Sequence, residues 1–262
     1  MEFELSPRQA GFATLICTTG VWRLDMPAGP PRIYRLAQLD DYARTPRSRL
    51  KHAPPWTFSL GARVSGVDLP GTWGFGLWNA PFGLSLGFIG GKPGRLPALP
   101  QTAWFMHASP PNWLSLRDGP NPGSDQAIPA NGFFAGTFRS PLIPSFLFAP
   151  TLLSLPLFTI RPFSRLMRRL AGRFIHQDAA RVIVDVTQWH EYSIHWLNEG
   201  CIFSVDGSEI LRTPCSPRPP LGLVLWIDNQ FAAWTPEGKL EYGTLENPVA
   251  WMELEKLSIQ QI

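Results

Sequence analysis

The chain has 262 residues, of which 16% are charged and 12% aromatic, and 28 prolines and 23 glycines punctuate it. This composition excludes a long-helix or coiled-coil protein, while 44% hydrophobic residues supply a sizeable core and exclude a disordered chain. The net charge of +3 is unevenly spread: no Asp or Glu occurs between Gln126 and Gln177, where Arg139, Arg161, Arg165, Arg168, Arg169 and Arg173 lie. That pattern points to one local surface for an anionic partner and away from nucleic-acid binding.

Met1-Glu2-Phe3-Glu4-Leu5 places acids where a secretory signal carries lysine or arginine, so the mildly apolar stretch 11–21 does not read as a signal peptide. Cys17, Cys201 and Cys215 are odd in number and widely spaced, which allows one disulfide at most and suits a reducing compartment. A cytoplasmic, peripherally membrane-associated protein is expected. Candidate strands follow at 21–24, 57–64, 72–78 and 103–107, and again at 181–186, 192–197, 202–205, 221–227 and 251–259, separated by Gly, Pro and Asp. In Tyr192-Ser193-Ile194-His195-Trp196 large residues alternate with polar ones, so each such strand has one core face. Short strands with turn signals between them predict an all-β, jelly-roll β-sandwich occupying 1–262 as a single domain. Gly90-Gly91-Lys92-Pro93-Gly94 is a proline-containing turn without the helix a phosphate loop needs.

One segment, 139–177, reads as an insertion. Residues 140–160 carry no charge but contain Pro141, Pro144, Pro150 and Pro156, which argues against a regular membrane-spanning helix. Pro162 then suits a helix start, and Phe163, Leu166, Met167, Leu170 and Phe174 fall within an arc of roughly 100° at 100° per residue. Arg161, Arg165, Arg168, Arg169 and Arg173 fall on the other side. An apolar stripe opposed by an arginine face is the pattern of a helix lying in a membrane interface; a core-packed surface helix with solvated arginines is the competing reading.

Trp189-His190-Glu191-Tyr192-Ser193-Ile194-His195-Trp196, then Phe203-Ser204-Val205-Asp206-Gly207, the apolar run Pro219 to Trp226 and a closing strand at 252–259 resemble the C-terminal half of glycoside hydrolase family 16. That family lies within the concanavalin A-like lectin and glucanase superfamily. Gly71-Thr72-Trp73-Gly74-Phe75-Gly76-Leu77-Trp78 is similar to the family's strand leading toward the active site. The resemblance covers roughly 57–107 and 185–260 and implies a concanavalin A-like sandwich with an inserted amphipathic helical segment. Hydrolytic members carry Glu-x-Asp-x-x-Glu, or a close variant, where this chain reads Gln101-Thr102-Ala103-Trp104-Phe105-Met106-His107, and no acid occurs between Asp68 and Asp118. A retaining glycosidase needs two carboxyls about 5 Å apart, so that mechanism cannot run here.

If the strand at 103–107 crosses the concave face, its alternate residues offer either Phe105 with His107 or Trp104 with Met106; the strand near Trp226 adds Trp226 and Asp228. The ligand-binding candidates are Trp73, Asn79, Trp104, Phe105, His107, Trp226 and Asp228, with the tryptophans equally able to serve as core. Aromatics without carboxylates favour an amphiphilic ligand, such as a glycolipid, a lipid-linked sugar or an isoprenoid-like molecule, over a bare polysaccharide. His107 and Asp228, with Asn79 as a polar neighbour, are the catalytic candidates for an alternative reading as a cyclase, isomerase or lyase. A module docking on a protein through the insertion is the third reading. His190 and His195, five apart on a strand, point to opposite faces and make no metal pair; His52 and His176 read as surface groups. No cofactor is expected and no convincing calcium ligand set can be assembled.

Overall fold

A computed structural model describes residues 5–43, 45–81, 96–117, 127–148 and 155–261. The Gly90–Gly94 turn and Pro150 lie outside these. Two seven-stranded antiparallel sheets carry the fold. The first runs, edge to edge, through β1 (Ser6–Ala10), β4 (Leu36–Asp40), β13 (Gly222–Asp228), β6 (Thr72–Trp78), β7 (Thr102–Ala108), β8 (Gly132–Arg139) and β9 (His176–Arg181). The second runs through β12 (Ser208–Thr213), β11 (Gly200–Val205), β10 (His190–Leu197), β5 (Trp56–Val64), β16 (Ala250–Gln261), β3 (Val21–Met26) and β2 (Thr14–Thr18). A separate hairpin pairs β14 (Gln230–Trp234) with β15 (Leu240–Thr244).

Alternation sets which face each side chain takes. Trp56, Phe58 and Leu60 of β5, Tyr192, Ile194 and Trp196 of β10, and Phe75 and Phe105 of the first sheet all turn into the space between the sheets. Asp206 at positive φ followed by Gly207 makes the turn between β11 and β12. The first sheet is also buried on its outer face: β4, β7 and β13 have no exposed residue. This is why β4 and β8 carry no period of two and are not legible as half-buried strands. The apolar alternation expected at 181–186 is present, but β9 ends at Arg181. The Val182 amide donates to the Phe133 carbonyl and the Val64 amide to the Val186 carbonyl, so the stretch crosses from one sheet to the other with no strand partner.

The expected helix is α1 (Arg161–Phe174). Its buried side chains are Ser164 and Arg168. The Ser164 hydroxyl accepts from Trp234 Nε1 (2.9 Å), and Arg168 donates from Nε to the Trp234 carbonyl and from Nη2 to the Ser115 carbonyl, each at 2.8 Å. A Cβ on Gly172 would approach the Leu116 carbonyl to 2.8 Å, so the helix lies close against that chain. Arg168, expected on the outward arginine face, is 2% exposed. It lies about 140° around the helix from Phe163, and its long fork reaches carbonyls that no shorter side chain would satisfy. Replacing Arg168 with Ala should cost about 2–4 kcal/mol and raise amide exchange across α1 while the sandwich strands keep their protection; unchanged exchange in α1 would refute the docking role.

Candidate functional site

The outer face of the first sheet is the one on which the sequence placed a concave cleft. From β6 it receives Thr72, Gly74, Gly76 and Trp78, from β7 Thr102, Trp104, Met106 and Ala108, and from β13 Val224, Trp226 and Asp228, as the pairings Trp226 with Gly74 and Gly76 with Trp104 require. Trp78 stacks parallel to Trp226 (6.4 Å, 4°), and Trp104 lies 5.8 Å from Trp226 and 6.1 Å from Trp78. The two glycines between them make this possible. A Cβ on Gly74 would come within 2.8 Å of the Trp226 ring, and Gly76 has φ +149 with Trp104 Cα at 2.6 Å from any Cβ. Phe138 meets Trp104 edge-on and Tyr42 meets Trp78 edge-on.

This aromatic floor is roofed by the chain itself. Leu50, Ile128 and Ile175 complete a second apolar cluster with Trp104, Met106 and Trp226, and Leu99, Leu114, Leu116 and Ala171 pack on it. Arg47 holds part of the roof: its guanidinium donates to the carbonyls of Asn79, Ala80, Pro81 and Leu96 and to the Ser145 hydroxyl. Two buried polar atoms on the floor, Trp104 Nε1 and Thr102 Oγ1, have no hydrogen-bond partner.

The structure divides the site candidates. Trp104 and Trp226 lie on the outer face, whereas Trp73, Phe105 and His107 turn between the sheets. His107 stacks on Trp73 (5.4 Å, 12°) and burial pushes its pKa down to about 4. It is therefore a neutral core ring that cannot line the cleft. Asp228 projects to the outer side, so the proposed His107 and Asp228 pair is separated by the sheet; period-two alternation assigns opposite faces to the odd and even positions concerned. Asn79 stands beyond the opposite end of β6 from Thr72, which pairs with Asp228, about 23 Å along the strand. Its amide donates to the Leu99 carbonyl and its carbonyl accepts from the Gln101 amide, tying the two ends of the intervening segment.

Asp228 accepts from the Thr72 hydroxyl (2.8 Å) and amide and from the Gln230 amide, and Tyr34 reaches its other oxygen at 3.4 Å. Burial, outweighing these bonds, pushes its pKa up to about 7. Nearby, Gln38 and Asp40 bond to each other (2.7 Å) and Arg8 pairs with Asp40 at 3.6 Å. β7 presents Thr102, Trp104, Met106 and Ala108 to this face, none of which transfers a proton at neutral pH.

Sequence reasoning missed His52. It is buried, with Nε2 2.7 Å from Asp41 Oδ2, while Asp41 Oδ1 accepts the Leu223 amide. Nothing in the local pattern marks it, because its partner is set by β13. The three cysteines are free. Among the described residues, no three His, Cys, Asp or Glu side chains converge as metal ligands, and no helix is long and apolar enough to cross a membrane.

The second feature is the surface of α1. With Ser164 and Arg168 buried, the apolar stripe is split: Leu166 is 52% and Phe174 60% exposed, whereas Phe163, Met167 and Leu170 are half-buried, Phe163 meeting the Phe158 ring edge-on. Arg165, Arg169 and Arg173 form a third, exposed face. The three faces are centred about a third of a turn apart. Among the described residues, eight of the seventeen exposed large apolar side chains fall between Leu142 and Phe174, so the apolar surface is concentrated on the insertion.

These features define an antiparallel two-sheet β-sandwich of jelly-roll type whose first sheet has an aromatic outer face. No protein-family model and no curated protein matches the sequence. Similar solved structures include LamAcat from Zobellia galactanivorans, 13% identical with TM-score 0.49, covering 94% of this chain and 80% of that one. A legume lectin-like domain from Entamoeba histolytica is 10% identical with TM-score 0.47, covering 98% and 90%. A pseudo beta-1,3-glucanase of Mycobacterium tuberculosis is 10% identical with TM-score 0.47, covering 93% and 76%. At these values the architecture rests on the strand order of this chain.

Two of the buried titratable groups, Asp228 and His107, oppose each other in pH dependence. Asp228 is protonated when folded and ionised when unfolded between about pH 4 and pH 7, so its contribution to stability falls as pH rises through that window. His107 is neutral when folded and protonated when unfolded between about pH 4 and pH 6.5, so its contribution rises with pH. Asp228→Asn should leave a melting temperature that climbs from about pH 4 to 6.5, and His107→Gln one that declines from about pH 4 to 7. Identical pH profiles for the wild-type protein and both variants would refute these assignments.

Proposed function

We propose that this protein is a non-hydrolytic, membrane-peripheral sandwich protein that binds an anionic bilayer surface through the insertion and accommodates an amphiphilic ligand against the aromatic outer face of its first sheet. The observation that carries the reading is the inverted docking of α1. An ordinary surface helix buries its apolar stripe and solvates its charges. Here a serine and an arginine are the fully buried contacts, while Leu166 and Phe174 of the apolar stripe are exposed, and Phe163, Met167 and Leu170 half-exposed, beside three exposed arginines. Apolar side chains entering the acyl boundary with cations at headgroup level is the arrangement of an interfacial helix, and each basic residue near an anionic surface adds about 1 kcal/mol. Arg165 Nη2 also donates to the Glu237 carbonyl (3.3 Å), which fixes that side of the helix to the loop between β14 and β15.

The ligand part rests on the aromatic floor. Three indoles in mutual contact form an apolar bed beneath the covering segments, with the unpartnered Trp104 Nε1 and Thr102 Oγ1 beside them, and a ligand would reach it by displacing part of that roof. The outer face has no carboxylate pair for glycosidic cleavage. The separation of His107 from Asp228 removes the arrangement on which the isomerase or lyase alternative depended.

Flotation with vesicles containing anionic phospholipid tests the membrane reading. Leu166→Glu with Phe174→Glu should abolish flotation, and Arg169→Glu with Arg173→Glu should weaken it about tenfold or more at low salt, with the difference shrinking as salt rises. Arg168 is left intact in both, since it docks the helix. Wild-type protein that stays with the soluble fraction, or variants that float equally well, would sink the membrane reading and favour a protein partner on the same surface.

A further inference from the structure

The outer face of the second sheet, on the side of the sandwich opposite α1, carries a separate polar hollow of about 290 Å³. It lies at the small end of the ~300–1,000 Å³ range of small-molecule sites. Its floor is Ser59 and Gly61 of β5, and its walls include Trp189, Glu191, Glu255 and Lys256. Register explains the shape. Gly61 pairs with Glu191 of β10 on one side and with Glu255 of β16 on the other, so two carboxylates flank a position that has no side chain. The Glu255 side chain lies over Gly61, with Oε1 3.2 Å from where a Cβ would stand.

The backbone is distorted at this point and nowhere else along β16. The pairing register shifts between Glu255 and Ser258, and Lys256 sits at φ +50, a left-handed conformation that a lysine does not adopt without cost. The bulge brings Lys256 Nζ to 3.1 Å from Glu255 Oε1 at the rim. On the other wall, Arg63 lies over one face of the Trp189 indole at 4.9 Å and fixes the ring. His190 is closed to a ligand, because Nδ1 bonds Asp206 (2.6 Å) and Nε2 bonds the Asp185 carbonyl (3.0 Å). Glu191 is exposed and its carboxylate makes no hydrogen bond or ion pair.

We propose that this hollow binds a single neutral pyranose or amino-sugar residue, with Trp189 as the platform for the ring's C–H face and Glu191 and Glu255 accepting hydroxyl hydrogen bonds. Two carboxylates, each able to accept from a pair of vicinal hydroxyls, one ammonium and one serine hydroxyl match a polyhydroxylated ring and leave little for an apolar ligand. Two acids against one lysine repel a uronic acid or a sugar phosphate. The site lies on the second sheet and α1 on the first, so a membrane-bound molecule would present the hollow to solution; the proposal nonetheless stands without the membrane reading.

Saturation-transfer NMR on the full chain, with methyl α-glucopyranoside, methyl α-mannopyranoside, N-acetylglucosamine and glucuronate as separate probes, tests it. At least one neutral or amino sugar should receive saturation, glucuronate should not, and Glu191→Gln and Trp189→Ala should each weaken the signal-giving sugar about tenfold in titration. Glu191→Gln removes a surface charge with no partner and leaves folding intact, which protects the test if Trp189→Ala unfolds. No transfer to any neutral or amino sugar, equal binding by Glu191→Gln, or preference for glucuronate would each overturn the proposal.

Discussion

The indoles of Trp104 and Trp226 rest on a strand that has no side chains beneath them, and most of the molecule follows from that contact. Gly74 and Gly76 leave β6 bare on its outer side, so two large rings from the flanking strands close over it and meet Trp78. A sheet that is apolar on its inner face for the sandwich core and apolar on its outer face for these rings cannot be left facing water. The roof is therefore a requirement of the sheet. Leu50, Leu99, Leu114, Ile128 and Ile175 supply it from segments that are loops in sequence, and Arg47 and Asn79 tie their backbones down.

The insertion then has two duties that an ordinary amphipathic helix does not combine. Ala171 and Ile175 at its C-terminal end join the roof, while Ser164 and Arg168 anchor it to β14 and to the chain around Ser115. Those contacts fix its rotation. Once Arg168 is committed inward, the apolar stripe cannot also be fully buried, because the stripe and the anchored face are a third of a turn apart. The exposure of Leu166 and Phe174 is thus enforced by two hydrogen bonds and a hydroxyl contact, and the arginines beside them give the exposed surface its sign.

The chemistry of the two sheets is complementary. The outer face of the first sheet carries rings, Thr102 and Met106, and holds two buried acids, Asp228 among a hydroxyl and amides and Asp40 beside Gln38 and Arg8. The outer face of the second sheet is where acids, serines and a lysine remain in the open around Gly61. The exposed polar side chains around Gly61 and the apolar covered face therefore lie on opposite sides of one scaffold.

Read alone, the sequence was sufficient for the sandwich class, strands with one wetter face such as β5 and β10, the extent of α1 and the absence of acids between Asp68 and Asp118, because these depend on period, turn chemistry and residue type along the chain. It did not reveal β1, β2, β4, β8, β12, β14 and β15, short strands or strands without a clear period of two, nor the true place of β9, since the apolar alternation of Val182 and Val186 serves a crossover. Phe105 with His107 and Trp104 with Met106 were equally open, since alternation says that the pairs face opposite ways but not which way the core lies. The partner sheet decides that, and so places His107 against Trp73 and away from Asp228. Arg168 looked like its neighbours Arg165 and Arg169 for the same reason: a helical wheel orders the faces, and only the carbonyls of Trp234 and Ser115, brought there by strands far away in sequence, determine which face is inside.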